Sequence, residues 1–248
     1  MSLERSATQR AGHLTVSMQV LLASALLLLV GGGRAVLAAG PACMSDAMIV
    51  FDASGSMAAL DFPDGGPSRF DRAKASLGTF LPTVSPQRRL GLVTYGPGAS
   101  RNACANASLR VRPQPNFAEP ILSEVEALRP AGRTPLTLGV RMALDALPET
   151  AATVVLLTDG QETCHGDPCA LARQLRSVRP SVTVHVIGYK LQMRDGRAES
   201  GAECLASETG GLNVTADTVD ELNRAFEQTL GCTNVAQLTR RQEPATLP

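Results

Sequence analysis

The sequence predicts an α/β fold: a doubly wound, mostly parallel six-stranded sheet with one antiparallel edge strand and helices on both faces. Short, continuously apolar runs such as 46–51 and 153–157 are typical of buried parallel strands. Between these runs lie segments whose apolar residues recur at helical spacing. One segment, 108–112, alternates polar and apolar residues and therefore indicates an antiparallel strand at an edge.

Most predicted helices have a boundary signal, and the predicted elements together form one domain over residues 44–232. The predicted strands are 46–51, 90–95, 108–112, 153–157, 182–189 and 212–215. Helix starts and ends are predicted from capping residues and from glycine or proline. These signals are Ser68, Thr134 as a cap with Pro135 at the first helical position, Asp167 before Pro168, Gly210 with Gly211, and the capping box of Thr218 and Glu221.

Charge and aromatic content exclude the usual kinds of nucleic-acid binder. Lys and Arg total 23 and Asp and Glu total 23, so the formal net charge is zero. A protein that binds nucleic acid through its charge carries a basic excess. Aromatic residues make up 3% and Trp is absent, which leaves no stacking platform for bases. We therefore expect no nucleic-acid partner.

Residues 1–39 are predicted to form a secretory signal peptide. A short basic start precedes an apolar stretch at 14–30, and small residues suit cleavage after Ala38 or Ala39. An uncleaved membrane anchor is the alternative, because the stretch is nearly long enough to span a bilayer. We expect an exported protein, periplasmic or secreted, whose residues 233–248 form a disordered tail.

Polar side chains that suit a hard divalent cation follow the ends of predicted strands. Asp52, Ser54 and Ser56 come directly after the first strand, at alternate positions that can turn toward one point. Thr134 stands at a helix start, and Asp159 ends the third parallel strand. Doubly wound sheets bind ligands at the carboxyl ends of their strands. Hydroxyl and carboxylate oxygens in such a place suit Mg²⁺.

Three motifs, Asp-x-Ser-x-Ser, Gly-Arg-Thr-Pro-Leu and Thr-Asp-Gly, resemble the von Willebrand factor A (vWA) family in order and spacing. The resemblance covers nearly the whole chain after the signal segment. It implies a Rossmann-like vWA fold with a metal-ion-dependent adhesion site (MIDAS). It also implies that Ser54, Ser56 and Thr134 ligate the metal directly or nearly so, whereas Asp52 and Asp159 act mainly through water. Residues 163–169, Thr-Cys-x-x-Asp-Pro-Cys, are similar to exported bacterial members of this family, which tend to have cysteines matching Cys104 and Cys204 as well.

Six cysteines in an exported chain predict a set of disulfides. They are Cys43, Cys104, Cys164, Cys169, Cys204 and Cys232. Cys43 and Cys232 flank the first strand and the last helix at the same end of the sheet, so we pair them. The other four gather at the opposite end, where a local Cys164–Cys169 bridge would leave Cys104 with Cys204. Cross-pairing of Cys104 with Cys164 or Cys169 is the rival. A zinc site at Cys-x4-Cys is the weaker interpretation, since no second matching pair follows.

Other polar residues near the motifs have structural interpretations. Asp61 and Asp64 are predicted to be solvated loop acids, with a second cation site as the remote alternative. His165 is predicted to be a surface residue, and His185, within an apolar strand, to be structural.

Two functional classes fit these features. The first is a binding module in which the Asp or Glu of a protein partner fills an open position on a divalent cation: Mg²⁺, with Mn²⁺ or Ca²⁺ possible in its place. The second is a metal-assisted hydrolase, which needs a general base near the cation. Glu162 is the one candidate base near the motifs and is poorly placed, so we predict a binding module and no enzyme. A membrane-anchored accessory subunit of a larger complex is a further alternative.

Overall fold

A computed structural model describes residues 44–84, 88–191, 193–194, 197–198 and 201–231 of the chain. Its main sheet has six strands: β1 (Asp46–Asp52), β2 (Leu90–Tyr95), β3 (Ala107–Gln114), β4 (Ala152–Thr158), β5 (Val182–Tyr189) and β8 (Asn213–Ala216). Their order across the sheet is β3-β2-β1-β4-β5-β8, and all neighbours are parallel except β2 and β3. The predicted fold class is confirmed. A short hairpin, β6 (Met193–Arg194) with β7 (Arg197–Ala198), was not predicted.

In the described part of the chain, six α-helices cover the two faces of the sheet. They are α1 (Arg69–Phe80), α2 (Ala118–Glu126), α3 (Leu136–Asp145), α4 (Pro168–Val178), α5 (Glu203–Thr209) and α6 (Val219–Leu230). Because successive strand residues point to opposite faces, β1 contributes Ile49 and Phe51 to one core and Met48 and Val50 to the other. Helices α1, α2 and α6 pack on the first core, and α3, α4 and α5 pack on the second.

Most predicted helix boundaries are confirmed by their caps. The Ser68 hydroxyl accepts a hydrogen bond from the Asp71 N–H at the start of α1. Thr218 and Glu221 form the predicted capping box of α6. Gly210 ends α5 at φ 72°, a left-handed conformation that glycine adopts without a side-chain clash.

The predicted cap at Thr134 is wrong, because α3 begins at Leu136 and Pro135 occupies the N-cap position. The Glu162 carboxylate accepts the Thr137 N–H at 2.7 Å, so a side chain from another loop satisfies the start of the helix. The backbone of Thr134 instead pairs with Thr163: its N–H donates to the Thr163 hydroxyl at 2.8 Å, and its carbonyl accepts the Thr163 N–H at 3.1 Å.

The favoured pairing of four cysteines is also wrong. The structure joins Cys104 to Cys164 and Cys169 to Cys204, each with Cα atoms 5.2 Å apart, so cross-pairing of Cys104 with Cys164, the stated rival, is found. Cys169 is the second residue of α4, and Cys204 is the second residue of α5. Because the two helices pack against each other, their first turns meet. Cys164 remains in the loop before α4, where it meets the β2–β3 connection.

Several predictions fall outside the described residues. These are the signal peptide at 1–39, the Cys43–Cys232 bridge and the disordered tail at 233–248. Among the residues that the structure does describe, no helix is both long enough and apolar enough to cross a membrane.

Candidate metal centre

Asp52 is the last residue of the central strand β1 and is completely buried. Its Oδ1 accepts the Ser54 N–H at 2.7 Å. Its Oδ2 accepts two hydroxyls, from Tyr95 at 2.9 Å and from Thr158 at 2.8 Å. Tyr95 and Thr158 are the last residues of β2 and β4, which flank β1. Three neighbouring strand ends therefore hold one carboxylate in a single orientation at the carboxyl edge of the sheet.

Ser54, Ser56 and Asp159 form a hydrogen-bonded chain beside Asp52. The hydroxyl oxygens of Ser54 and Ser56 are 3.1 Å apart, and the Ser56 hydroxyl donates to Asp159 Oδ1 at 2.6 Å. A 3-10 turn at Gly55–Ala58 brings the two serines to the same side. Ser54 and Asp159 are 1% and 2% exposed, whereas Ser56 is exposed. The cluster thus opens to solvent at Ser56.

Thr134 reaches the same edge through backbone contacts. Gly132 forms a β-bridge with Ser54, and its carbonyl accepts the Gly55 N–H at 2.9 Å. Gly96, at φ 77°, allows this close approach, because a Cβ there would lie 2.7 Å from both the Ser54 Cα and the Arg133 carbonyl oxygen. Thr134 follows two residues after Gly132 and is 5% exposed. All five predicted residues therefore lie at one edge of the sheet.

Arg69 is a member of the cluster that sequence reasoning missed. It is 5% exposed, and its Nη1 donates to Asp159 Oδ2 at 2.9 Å. Its Nε donates to both oxygens of Asp61, at 3.0 and 3.2 Å, and Nη2 adds a further contact to Asp61. Asp61 and Asp64 are exposed loop acids as predicted, but each also forms an ion pair, Asp61 with Arg69 and Asp64 with Arg72. Nothing in the sequence around Arg69 distinguishes it from a surface helix residue.

Tyr95 and Thr158 were also missed, although a signal was present. Tyr95 ends the predicted strand 90–95, and Thr158 directly follows the predicted strand 153–157, as Asp52 directly follows the strand 46–51. Polar residues that end adjacent parallel strands lie side by side. Strand ends alone could therefore have identified both donors to Asp52.

Burial dominates the electrostatics of the two acids. It raises the pKa of Asp52 from 3.8 to about 6, and the nearby charge of Asp159 acts in the same direction. Burial also raises the pKa of Asp159, against the opposing effect of its hydrogen bonds from Ser56 and Arg69. The pKa of Tyr95 lies well above 10.0, first because of burial and then because of the Asp52 charge. Two buried acids in close proximity are a charge arrangement that a cation stabilises.

The side chains present fit a hard divalent cation. Hydroxyl and carboxylate oxygens are the ligands that Mg²⁺ and Ca²⁺ prefer. The described part of the chain contains no cluster of three or more His, Cys, Asp or Glu side chains able to hold a metal, so the serine and threonine hydroxyls would have to complete the ligand set. Cys164 and Cys169 are in separate disulfides, which removes the thiolates that the zinc interpretation required.

A doubly wound sheet with hydroxyl and carboxylate side chains at the carboxyl edge of its central strands defines an α/β ligand-binding domain. Residues 47–161 match the family model of the von Willebrand factor type A domain. The match spans all three motifs, so the predicted resemblance to the vWA family is confirmed over these residues. The further similarity to members with Thr-Cys-x-x-Asp-Pro-Cys remains a prediction.

Comparison with known proteins finds relatives of low identity and solved structures of the same fold. YwmD, an uncharacterised protein of Bacillus subtilis (strain 168), is 28% identical over 190 residues, which is 73% of this chain and 82% of YwmD. The SpRpn10 VWA domain matches with a TM-score of 0.57 at 17% identity, covering 77% of this chain and 99% of that one. Proximal thread matrix protein 1 (PTMP1) from the mussel byssus, solved with a zinc-occupied MIDAS motif, matches with a TM-score of 0.54 at 22% identity. That match covers 77% of this chain and 46% of that one.

Proposed function

We propose that this chain is an exported binding module that captures a protein partner through a divalent cation. The cation is Mg²⁺, and Mn²⁺ or Ca²⁺ suits the same oxygen ligands. When bound, the metal supplies an open coordination position that an Asp or Glu of the partner can occupy. The observation that carries this proposal is the hydrogen-bonded chain of Ser54, Ser56 and Asp159, which opens to solvent beside the buried Asp52.

The hydrogen bonds support a division of roles among the five residues. Ser54, Ser56 and Thr134 would hold the cation with their hydroxyl oxygens. Asp52 Oδ2 already accepts two hydroxyls, which fills its lone pairs, and Oδ1 accepts one N–H. Asp52 is thus suited to act through a metal-bound water molecule that donates a hydrogen bond to the remaining lone pair of Oδ1, and Asp159 has the same role. The zinc-occupied MIDAS motif of the mussel protein supports metal binding at such a site.

The alternative of a metal-assisted hydrolase depends on Glu162 as its general base. Glu162 was the candidate, but its Oε2 accepts the Thr137 N–H and its Oε1 accepts the Cys164 N–H, at 2.7 and 2.8 Å. A carboxylate that caps a helix and orders a loop is occupied by structural bonds. This arrangement favours a binding module over an enzyme.

Export is supported by the two disulfides, because such bonds persist in oxidising compartments. Cleavage of the signal peptide would give a mature N-terminus after Ala38 or Ala39, which N-terminal sequencing of the protein recovered outside the cytoplasm would detect. An intact N-terminus in a membrane fraction would instead favour the anchored accessory subunit.

Calorimetry with Mg²⁺ and Mn²⁺ tests the metal site, using Ser56→Ala and Thr134→Ala. These variants remove one hydroxyl each and leave the three hydrogen bonds of Asp52 in place. Ser207→Ala, which removes an exposed hydroxyl on α5, is the matched control. We expect both site variants to lose cation binding at an unchanged melting temperature, and the control to bind normally. Unchanged binding in both site variants would contradict the ligand assignment.

Partner capture needs a separate experiment. The immobilised protein is exposed to an exported-protein extract with Mg²⁺ or with EDTA, and bound material is challenged with an Asp-containing peptide. We expect capture that requires Mg²⁺, fails with Ser56→Ala and is competed by the acidic peptide. Capture that survives EDTA would reject a metal-dependent role.

A further inference from the structure

We propose that Arg69, held in place by Asp61, makes the metal centre select a small six-coordinate cation over Ca²⁺. The inference rests on the proposed function, because it concerns the same site. It assigns a role to a buried charged residue that the five-residue motif does not include.

Arg69 controls which oxygen of Asp159 is available. The Ser56 hydroxyl lies 2.6 Å from Oδ1, toward the candidate ligands, whereas Arg69 Nη1 lies 2.9 Å from Oδ2. Both the arginine and the aspartate are buried, at 5% and 2% exposure, so water does not compete strongly for this bond. Asp159 is thereby turned to present Oδ1 alone.

Asp61 determines where the Arg69 guanidinium lies. The Nε of Arg69 donates to both Asp61 oxygens, at 3.0 and 3.2 Å, and Nη2 contacts the same carboxylate. A planar guanidinium bound through two of its nitrogens is fixed in orientation, which a lysine could not reproduce. The remaining nitrogen, Nη1, is left to face Asp159.

This geometry discriminates between cations through coordination number. Ca²⁺ takes six to eight oxygens and commonly binds carboxylates through both oxygens, whereas Mg²⁺ requires an octahedron and keeps several waters. With Oδ2 held by Arg69, Asp159 cannot offer both oxygens to a metal. Asp52 has the same restriction, because its Oδ2 accepts the Tyr95 and Thr158 hydroxyls. Neither acid is free to supply the bidentate ligand that favours Ca²⁺.

The charge of Arg69 acts on any divalent cation. Arg69 places one positive charge against Asp159, which lowers the net negative charge around the metal. A cation that the protein neutralises less is more attractive to an incoming carboxylate. The guanidinium therefore preserves the capture of an acidic partner, and the preference against Ca²⁺ follows from the coordination geometry.

A purely structural role for the ion pair is the competing explanation, and the molecule contains a control for it. Arg72 pairs with Asp64 on the same loop and the same helix, one turn further along. This pair is more exposed than the Arg69–Asp61 pair, and Arg72 lies over the Phe62 ring at 4.0 Å, away from Asp159. Removing the Arg72–Asp64 ion pair therefore weakens the loop but leaves Asp159 Oδ2 bound to Arg69.

The test is calorimetric titration of the oxidised full chain with Mg²⁺ and with Ca²⁺, in the wild type, Arg69→Met, Asp61→Asn and the control Arg72→Met. We expect the wild type to prefer Mg²⁺, and Arg69→Met to shift the Ca²⁺ to Mg²⁺ affinity ratio at least tenfold toward Ca²⁺. Asp61→Asn should shift it in the same direction by less, and Arg72→Met should leave it unchanged. If Arg69→Met fails to fold, the Ca²⁺ to Mg²⁺ affinity ratio of Asp61→Asn tests the inference in its place.

Two outcomes would overturn the inference while leaving the proposed function intact. One is a wild type that binds both cations but prefers Ca²⁺. The other is an unchanged ratio in the folded Arg69→Met and Asp61→Asn variants. A wild type that binds neither cation would reject the proposed function itself.

Discussion

The two sides of the candidate metal centre are braced by different chemistry. On one side, the loop between β1 and α1 is held by ion pairs of Arg69 with Asp61 and of Arg72 with Asp64. On the other side, the β2–β3 connection, the loop after β4 and the first turns of α4 and α5 are joined by two disulfides. We name these the ionic side, residues 59–72, and the disulfide side, residues 96–106, 160–169 and 202–204.

The two kinds of brace suit different roles: the disulfides stabilise the folded chain, and the ion pairs influence which cation the site selects. A disulfide stabilises mainly by restricting the unfolded chain, and its effect does not depend on salt. Because β2 and β4 flank β1, the Cys104–Cys164 bridge also links the loops on both sides of Asp52. Ion pairs respond to neighbouring charges and to screening, and one of them contacts Asp159 directly. The disulfide side is therefore suited to resist unfolding, and the ionic side to adjust which cation binds.

The largest expected effect is on the disulfide side. Replacing Cys104 and Cys164 together with serine opens a loop with a sequence separation of 60 and should lower the free energy of unfolding by about 2–4 kcal/mol. Denaturant unfolding under oxidising conditions measures this loss. The matched control is the Cys169/Cys204 double serine variant, whose separation of 35 predicts a slightly smaller loss. Equal stability of the wild type with and without reductant would show that the bridges contribute little.

How far the sequence could predict this molecule differs between the two sides as well. The sheet, its edge strand and the location of the five candidate residues at one edge followed from apolar runs and from motifs at strand ends, which are local properties. The disulfides did not, because the Cys169–Cys204 pairing depends on how α4 packs against α5. Thr134 failed as a helix cap because Glu162, from a distant loop, supplies the cap. Arg69 could not be assigned because a long loop determines which acid it meets.

Acid should weaken the contact between β5 and the turn after α5, which lies outside both named sides, at a higher pH than it weakens the ionic side. The His185 Nδ1 accepts the Leu212 N–H at 2.9 Å, in the turn that follows α5, which requires a neutral ring. Burial, with a smaller effect from the charge of Arg88, lowers the pKa of His185 from 6.5 to about 4. Above pH 6.5 its contribution is fully present. Between pH 6.5 and 4 the unfolded chain binds a proton that the folded chain does not, so stability falls as pH falls.

Asparagine at position 185 can accept the same N–H without titrating. We expect the wild type to lose on the order of 1–2 kcal/mol more than His185→Asn between pH 7 and pH 5. Urea unfolding at both pH values gives the comparison. On the ionic side, Arg69 lowers the pKa of Asp61 from 3.8, so its contribution persists above that pH and is lost only at lower pH. Identical pH profiles of wild type and variant would reject the role of His185.

A smaller effect is expected at Glu162, which joins the disulfide side to α3. Both carboxylate oxygens of Glu162 accept N–H groups, one from Thr137 and the other from Cys164. Glutamine at this position keeps one acceptor oxygen but loses the second acceptor and the negative charge. We expect Glu162→Gln to cost about 1 kcal/mol, as loss of a helix cap does. Glu149→Gln, an exposed acid that pairs with Arg179 at 3.7 Å, is the control. A hydrolase with Glu162 as its base would instead lose activity at unchanged stability.

The smallest effect should come from the outer pair of the ionic side. The Asp64 side chain is 62% exposed, and an exposed ion pair gains little from its charges because water and salt screen them. Phe62 also packs between Arg72 at 4.0 Å and Lys190 at 4.8 Å, so the loop keeps contacts that do not need Asp64. We therefore expect Asp64→Asn to leave the denaturation midpoint unchanged at physiological salt and to lower it slightly only at low salt. Asp61→Asn in the same series should lower the midpoint at both salt concentrations, because its partner is buried and cannot regain water. If the denaturation midpoints of the two variants respond equally to salt, exposure does not distinguish the two ion pairs, and both contribute alike to the stability of the loop.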